Sequence, residues 1–319
     1  MIKYRYDKKV NNIPLLKLQN DVEINYELNI LDKENYPVVF VNGSIFNYRQ
    51  WYPAFLPAFK KLTNNSRSYL LYDYEGIGLS SVKKDKFTMI GLVEELKQIL
   101  DLLELQKVHL FGASKGTMVS QMFAGTYPER VASLSGYGVI NLLSTEEELS
   151  STKKDFMDRL EALQPFKDKF DQRMDKKTYN EIMKDVYVPA MFFKPYSELS
   201  WKEKIMYRIV RRKVYPMLDQ SPIGTMAQLF DYYVNDLIKE RPLFEKTIPN
   251  LTKIPSILWL NGTADKTAPT KLVENLVKDL PNAALIEFEG YGHIDPALQK
   301  KKAYNIMDSY VTFLNNLNS

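Results

Sequence analysis

The chain has 319 residues, 45% hydrophobic and 26% charged, with 43 Lys and Arg against 39 Asp and Glu. That length and balance describe one large domain, or a domain carrying an insertion, and exclude a disordered chain. A net charge of +4 is too mild to suggest nucleic acid as partner, and the lack of cysteine excludes disulfides, thiolate chemistry and Cys-ligated zinc. The opening "MIKYRYDKKVNNIP" holds no apolar segment of the about 7–15 residues typical of a secretion signal. No run approaches the roughly 18 apolar residues of a membrane span. A soluble, cytoplasmic protein is expected.

In chain order, "PLLKLQNDVEINYELN" alternates apolar and polar residues around Gln19-Asn20-Asp21 and predicts a β-hairpin. "PVVFVNGS" predicts a strand buried on both faces, ending in Asn-Gly. A helix is expected from Tyr48 to Leu62 despite Pro53 and Pro57, followed by the strand "SYLLYDYEGIG". "FTMIGLVEELKQILDLLEL" places Leu92, Leu96, Ile99, Leu100 and Leu103 at helical spacing. "KVHLFGAS" predicts a strand, Lys115 to Tyr127 a helix stopped near Pro128, and "VASLSGYGVI" another strand. Strands and helices alternating in this way indicate βαβ units and a mainly parallel sheet, hence an α/β fold.

The alternation then stops. Residues 141–250 show helical pattern alone, cut by prolines at 165, 189, 195, 216 and 222. The strand pattern returns in "IPSILWLNGTAD", followed by the helix "PTKLVENLVKDL", the strand "AALIEFEG" and a closing helix to about Leu317. A helical block of this length exceeds a connection. The expected organisation is a core of residues 1–140 and 251–319, with residues 141–250 as a helical cap over one edge of the sheet.

Three residues carry the chemistry. Ser114 sits in "GASKG", directly after a strand and before a helix; Gly112 and Gly116 permit the sharp turn that exposes its Oγ. A serine hydroxyl needs a base, and the base a carboxylate to hold its tautomer. The chain has two histidines. His109 lies five residues before Ser114 on one strand, roughly 16 Å away at the strand's rise per residue, and is expected to be structural. His293, in the loop "EGYGHIDP", is the expected base. Asp265 in "LNGTADKTAP" follows a strand and lies between serine and histidine in chain order, which makes it the expected acid. Asp295, two residues from His293, would have to fold back on it. All three expected members lie at C-terminal ends of strands, where open α/β sheets build their sites.

A tetrahedral oxyanion needs two preorganised N–H donors. The expected pair is the backbone amide of Lys115, at a helix N-terminus, and that of Ser44 in the loop after "VVFVNG". Gly43 lets this backbone approach a substrate, and Asn42 and Gly43 are candidate substrate contacts.

Together "VFVNGS", "LLYDYEGIGLSS", "GASKG", "NGTADKTAP" and "EGYGHID" resemble the α/β-hydrolase superfamily with a helical cap, over residues ~14–140 and ~252–317. The resemblance implies the α/β-hydrolase fold and makes Asp73, Gly76, Gly78 and Ser80 a structural turn. It departs at Asn42, where many members carry histidine. Asn42-Gly43-Ser44, "LNGTAD" and the helical insert are also similar to the branch of acyltransferases that make rhamnolipid precursors.

The implied activity is a serine hydrolase acting on a carboxylic ester or thioester with an apolar acyl group, with no metal or organic cofactor. The alternatives are an acyltransferase of the 3-hydroxyacyl type using the same triad, and a non-catalytic ligand receptor on the same scaffold. Met191, Phe192 and Phe193 in "VPAMFFKPY" are expected either to line an acyl pocket or to be cap core. "SWKEKIMYRIVRRKVYPML" spaces Trp201, Ile205, Met206, Ile209 and Val210 helically among Lys and Arg. The expectation is a cap helix with its apolar face over the pocket; a membrane-surface helix or carrier-protein patch would look the same. The Lys115 side chain is expected near the mouth of the site, in solvent or paired with a cap glutamate.

Overall fold

A computed structural model describes residues 14–32, 34–83, 86–170, 172–188 and 195–317. Its frame is an eight-stranded sheet built from β1 (Leu15–Lys17), β2 (Glu23–Asn29), β3 (Val38–Val41), β4 (Tyr69–Tyr72), β5 (Val108–Ala113), β6 (Val131–Tyr137), β7 (Ile257–Gly262) and β8 (Ala283–Phe288). The spatial order is β1-β2-β4-β3-β5-β6-β7-β8. β1 and β2 form the expected antiparallel hairpin, and Asp21 takes the left-handed conformation (φ 62°) at its turn. β2 pairs antiparallel with β4, and every later pairing is parallel.

The central strands read as unbroken apolar runs because both their faces are covered. Along β3, Val39 and Val41 enter one cluster while Val38 and Phe40 enter the other; along β7, Trp259 and Leu258 divide in the same way. Helices α1 (Phe55–Leu62), α2 (Met89–Leu102) and α3 (Lys115–Thr126) follow β3, β4 and β5, and between β6 and β7 lie α4 (Ser150–Leu163), α5 (Lys176–Ile182), α6 (Trp201–Leu218), α7 (Ile223–Asp231) and α8 (Arg241–Thr247). After β7 come α9 (Thr270–Lys278), α10 (Asp295–Leu298) and α11 (Lys300–Asn316).

Two helix expectations change. The predicted helix 48–62 is a single 3-10 turn, Tyr48–Trp51, followed by a separate helix from Phe55. Pro53 removes an amide that a continuous helix would need, whereas Pro57 falls in a first turn whose amides have no intrahelical partner. Pro216 does not divide the insert: α6 runs through it and ends two residues later, although the proline supplies no amide to the Arg212 carbonyl one turn back.

Between β6 and β7 the described residues form helices and turns, with one isolated bridge from Arg173 to Pro222. This stretch shares its apolar interior with the sheet: Phe156, Met226 and Phe230 belong to the same buried cluster as Met118 and Ile140. It is also tied to the loop after β3. The Asn47 amide donates to the Met217 carbonyl (2.8 Å), and its side-chain amide donates to the Pro216 carbonyl (3.0 Å). Among the described residues no helix is long and apolar enough to cross a membrane.

His109 is buried in β5, hydrogen-bonded through Nδ1 to the Ser133 hydroxyl on β6 (2.8 Å). Burial lowers its pKa from the ordinary 6.5 to about 4. The folded state therefore binds fewer protons than the unfolded chain between those values, and stability is lost as pH falls from about 6.5 toward 4. His109→Gln should remove that component, on the order of 2–3 kcal/mol. Urea unfolding at pH 7.5 and pH 4.5 checks it: the gap between the two pH values should be smaller in the variant than in the parent.

Candidate active site

β5 delivers the chain to Ser114 at the C-terminal edge of the sheet, and α3 begins at the next residue. Ser114 has φ 51° and ψ −118°, a strained conformation for a residue with a Cβ. Its surroundings hold it there. The Ser114 amide donates to the Tyr137 carbonyl (3.0 Å), and its carbonyl accepts from the Thr117 amide (2.8 Å) and hydroxyl (2.7 Å). A Cβ on Gly116 would overlap the Val41 carbonyl of β3, and one on Gly112 would overlap the Gly116 carbonyl. The two glycines are thus required by close backbone approach, and the turn presents Ala113 and Ser114 to the cleft.

His293, in the loop after β8, lies against it. The Ser114 hydroxyl donates to His293 Nε2 (2.8 Å), and His293 Nδ1 donates to Asp265 Oδ2 (2.7 Å). Asp265 follows β7 and its side chain is fully buried; its other oxygen accepts from the amides of Thr267 (3.0 Å) and Ala268 (2.7 Å). The two amides on one oxygen and the imidazole on the other fix the plane in which the carboxylate meets the ring. The histidine loop is pinned separately. Tyr137 donates its hydroxyl to the Gly292 carbonyl (2.9 Å), and Asp295 accepts from the Gly292 amide (3.2 Å) and from Lys302 Nζ (2.6 Å). Asp295 therefore holds the loop, while Asp265 meets the ring.

These residues open on a cleft of about 670 Å³, solvent at its mouth included, lined by Gly43, Ser44, Phe46, Ser114, Arg159 and His293 among others. Trp51, Phe55, Ile294 and Ala297 complete an apolar wall. A second cavity of about 620 Å³ lies between α3 and the inserted helices, lined by Met118, Leu142, Phe156, Tyr233, Leu237 and Phe244. Phe156 and Arg159, one turn apart on α4, contribute one to each space.

Sequence reasoning did not single out Gln50, Trp51 or Arg159. No local pattern marks them, because they reach the cleft only through the packing of the 3-10 turn and α4. The Gly43 amide faces Gln50 Oε1 (3.4 Å), which leaves Ser44 as the residue of that loop whose amide remains a candidate donor toward the cleft. The candidate substrate contact at Asn42 is corrected. Its side chain is fully buried, donates to the Tyr72 carbonyl (2.6 Å) and accepts from Trp51 Nε1 (2.8 Å), so it braces β3 against β4 rather than facing a substrate. Met191, Phe192 and Phe193 lie outside the described residues.

The expectation for the Lys115 side chain is also corrected. It is fully buried beneath the elbow, with Nζ 3.3 Å from the centre of the Tyr74 ring and no hydrogen-bond acceptor among the described residues. Burial lowers its pKa to about 7, against the opposing pull of the Glu95 carboxylate on α2. Burial likewise raises Glu95 to about 7, although its Oε2 accepts from the Glu75 amide (3.0 Å). The side chain cannot greet a substrate; its backbone amide, at the first residue of α3, still faces the N-terminal end of the helix.

The chain matches the family described as alpha/beta hydrolase fold over residues 36–297. A 98-residue stretch is 29% identical to a poly(3-hydroxyalkanoate) depolymerase of Ectopseudomonas oleovorans, covering 31% of this chain and 33% of that protein. The match thus spans about a third of the relative's length. Among solved structures, an alpha/beta hydrolase enzyme from a Medee basin deep-sea metagenome library superposes with a TM-score of 0.69 at 20% identity, covering 94% of this chain and 97% of its own. A thermophilic esterase from Thermogutta terrifontis gives 0.68 at 18%, covering 96% of this chain and 100% of its own. At such identities the likeness is one of fold.

A lysine that must shed its proton to be comfortable in the fold destabilises the folded state most at and below pH 7, and the penalty fades as pH rises toward 10.5. Lys115→Met should therefore keep the fold and raise unfolding free energy by about 1–3 kcal/mol near neutrality. Denaturant titrations from pH 7 to pH 10 should show the two proteins converging at the alkaline end.

Proposed function

The chain belongs to the α/β-hydrolase family; from that premise we propose that it is a hydrolase, cleaving a carboxylic ester or thioester with an apolar acyl group through Ser114, His293 and Asp265. One observation carries the reading: the unbroken hydrogen-bond chain from the Ser114 hydroxyl through the imidazole to a buried carboxylate, opening on an apolar cleft. In this reading His293 Nε2 takes the hydroxyl proton as Ser114 Oγ bonds to the substrate carbonyl carbon. The C–O or C–S bond to the leaving group then breaks, and the same proton passes from Nε2 to the departing oxygen or sulfur. Water, deprotonated by the same nitrogen, attacks the acyl-enzyme and releases the acid and Ser114. Asp265 holds the Nδ1–H tautomer and stabilises the cation formed at each step.

The proposed oxyanion donors are the amides of Lys115 and Ser44. Lys115 is the first residue of α3, where backbone N–H groups lack intrahelical acceptors and the helix dipole favours negative charge. The elbow turn aims that amide at the space beside Oγ, and Gly43 brings the loop backbone close on the other side. Removing one such donor from a hydrolase costs about 10²–10³ in turnover.

The apolar walls of both cavities support an acyl group of some size. The local likeness to a depolymerase of poly(3-hydroxyalkanoate) supports esters of 3-hydroxy acids as members of the substrate class to be examined. The inserted helices 141–250 are read as the cap that supplies the roof, Phe156 and Arg159 among its contributions.

The test is covalent labelling with a fluorophosphonate probe. The parent should label and Ser114→Ala should not; absence of label on the folded parent overturns the enzymatic triad in favour of a binding role. His293→Ala should lower hydrolysis of p-nitrophenyl butyrate by at least about 10³-fold, with little change in stability. His109→Ala should leave that rate nearly unchanged. Loss of chemistry in the His109 variant with retention in the His293 variant would reverse the assignment.

A further inference from the structure

Helix α6 is apolar on two opposite sides. Tyr207, Val214, Met217 and Leu218 are buried on the inner side. On the outer side Trp201, Ile205, Met206 and Ile209 are exposed by 68%, 45%, 49% and 54%. At 3.6 residues per turn these four fall within one outward sector, and Lys202, Arg208, Arg212 and Lys213 fall within or beside it, exposed as well. The helix carries Lys202, Lys204, Arg208, Arg211, Arg212 and Lys213 against a single acid, Glu203. Glu203 forms the capping box with Ser200 and lies about 200° round the helix from Trp201, so every charged residue that α6 places in the outward sector is cationic.

We propose that this outer face docks the protein on an anionic lipid surface, with Trp201, Ile205, Met206 and Ile209 entering the headgroup boundary and the flanking Lys and Arg meeting lipid phosphates. Three features select this occupant. An amphipathic helix with Trp and Ile on one side and a dense Lys/Arg flank is the composition that partitions into an interface. Its apolar side chains come from a single helix and line neither of the two cavities described above, which suits shallow insertion into a lipid surface. The charge disfavours a second copy, because an isologous pairing through this face would bring the two cationic flanks together. Each basic residue near an anionic surface adds roughly 1 kcal/mol, and the same charges make docking salt-sensitive.

The face is independent of the proposed chemistry, so it is tested without turnover. Trp51 and Trp259, the other two tryptophans, are fully buried, so a change in emission on adding lipid reports Trp201. The intact chain is mixed with vesicles of phosphatidylcholine alone or of phosphatidylcholine with phosphatidylglycerol, and both sedimentation and tryptophan emission are followed. Expected are co-sedimentation and a blue shift with the anionic vesicles only, both diminished by added salt. Ile205→Glu with Ile209→Glu should abolish both signals. Lys202→Glu, Arg208→Glu and Arg212→Glu together should weaken binding by at least about tenfold. Trp201→Phe should keep co-sedimentation and lose the shift. All substituted positions are exposed, and circular dichroism with thermal unfolding confirms that each variant is folded. The proposal is overturned if the parent stays in the supernatant with anionic vesicles, or if the double glutamate variant binds as the parent does. It is equally overturned if the parent ignores vesicles but dimerises through this face, or if it is retained instead by an immobilised acidic carrier protein.

Discussion

Where α3 leaves β5, the helix backbone passes so close to the end of β3 that there is no space for a side chain at position 116, and its carbonyl closes off position 112 in the same way. This lack of room organises the surrounding structure. With both flanking residues reduced to hydrogen, the chain can reverse within one residue, and that residue takes a left-handed φ. Ser114 is forced outward because the space behind it is occupied by backbone. The same geometry decides the fate of Lys115. The residue after the serine opens the helix, and its side chain is carried to the back, against Tyr74 and within the field of Glu95. A lysine beside the serine thus belongs to the packing between α3, the segment after β4 and α2.

Close approach recurs under the imidazole. Gly138, at the end of β6, has φ 67°, and a Cβ there would press on the His293 ring; Gly262, at the end of β7, leaves room only for the backbone of Tyr291. Tyr137 reaches across from β6 to hold Gly292. Three consecutive strand ends, those of β5, β6 and β7, therefore shape one small volume in which a serine, an imidazole and a carboxylate meet. Asp265 takes part in two ways, since one oxygen closes an Asx-type turn with Thr267 and Ala268 and the other meets Nδ1. A turn-forming aspartate and one that orients a histidine are the same residue here, and the turn makes the orientation rigid.

Strand identity and the three members of the hydrogen-bond chain were legible in the sequence because each has a local signature: continuous apolar runs for strands covered on both sides, spaced glycines at the elbow, and a histidine found by elimination from two. What local pattern does not encode is the destination of a side chain. Asn42 follows a strand in a glycine-containing loop, as a substrate contact would, yet its amide satisfies Trp51 and Tyr72 in the core. Helical periodicity detected the apolar stripe of α6 but not which side faces inward. The inner contacts come from Tyr207, Val214, Met217 and Leu218, a mixed set that a search for the strongest stripe passes over. Pro216 misleads as well: it denies the Arg212 carbonyl an intrahelical donor, yet the burial of Val214, Met217 and Leu218 keeps the last turn helical.

The position of Pro216 also links the outer helix to the cleft. The last carbonyls of a helix have no intrahelical donors, and α6 has those of Pro216 and Met217 filled by the side chain and backbone of Asn47. Asn47 stands three residues after Ser44, in the loop that lines the cleft. The same asparagine caps its own 3-10 turn through the Arg49 amide (3.0 Å), and the neighbouring Tyr48 amide donates to the buried Asp73 (2.6 Å). The loop is thus fastened on one side to the sheet's structural turn and on the other to the end of α6. A displacement of α6 along its axis has to break those two bonds or carry the loop with it. Because the loop contributes both wall and candidate amide donor to the cleft, the face that α6 presents to the exterior and the geometry around Ser114 are mechanically one unit.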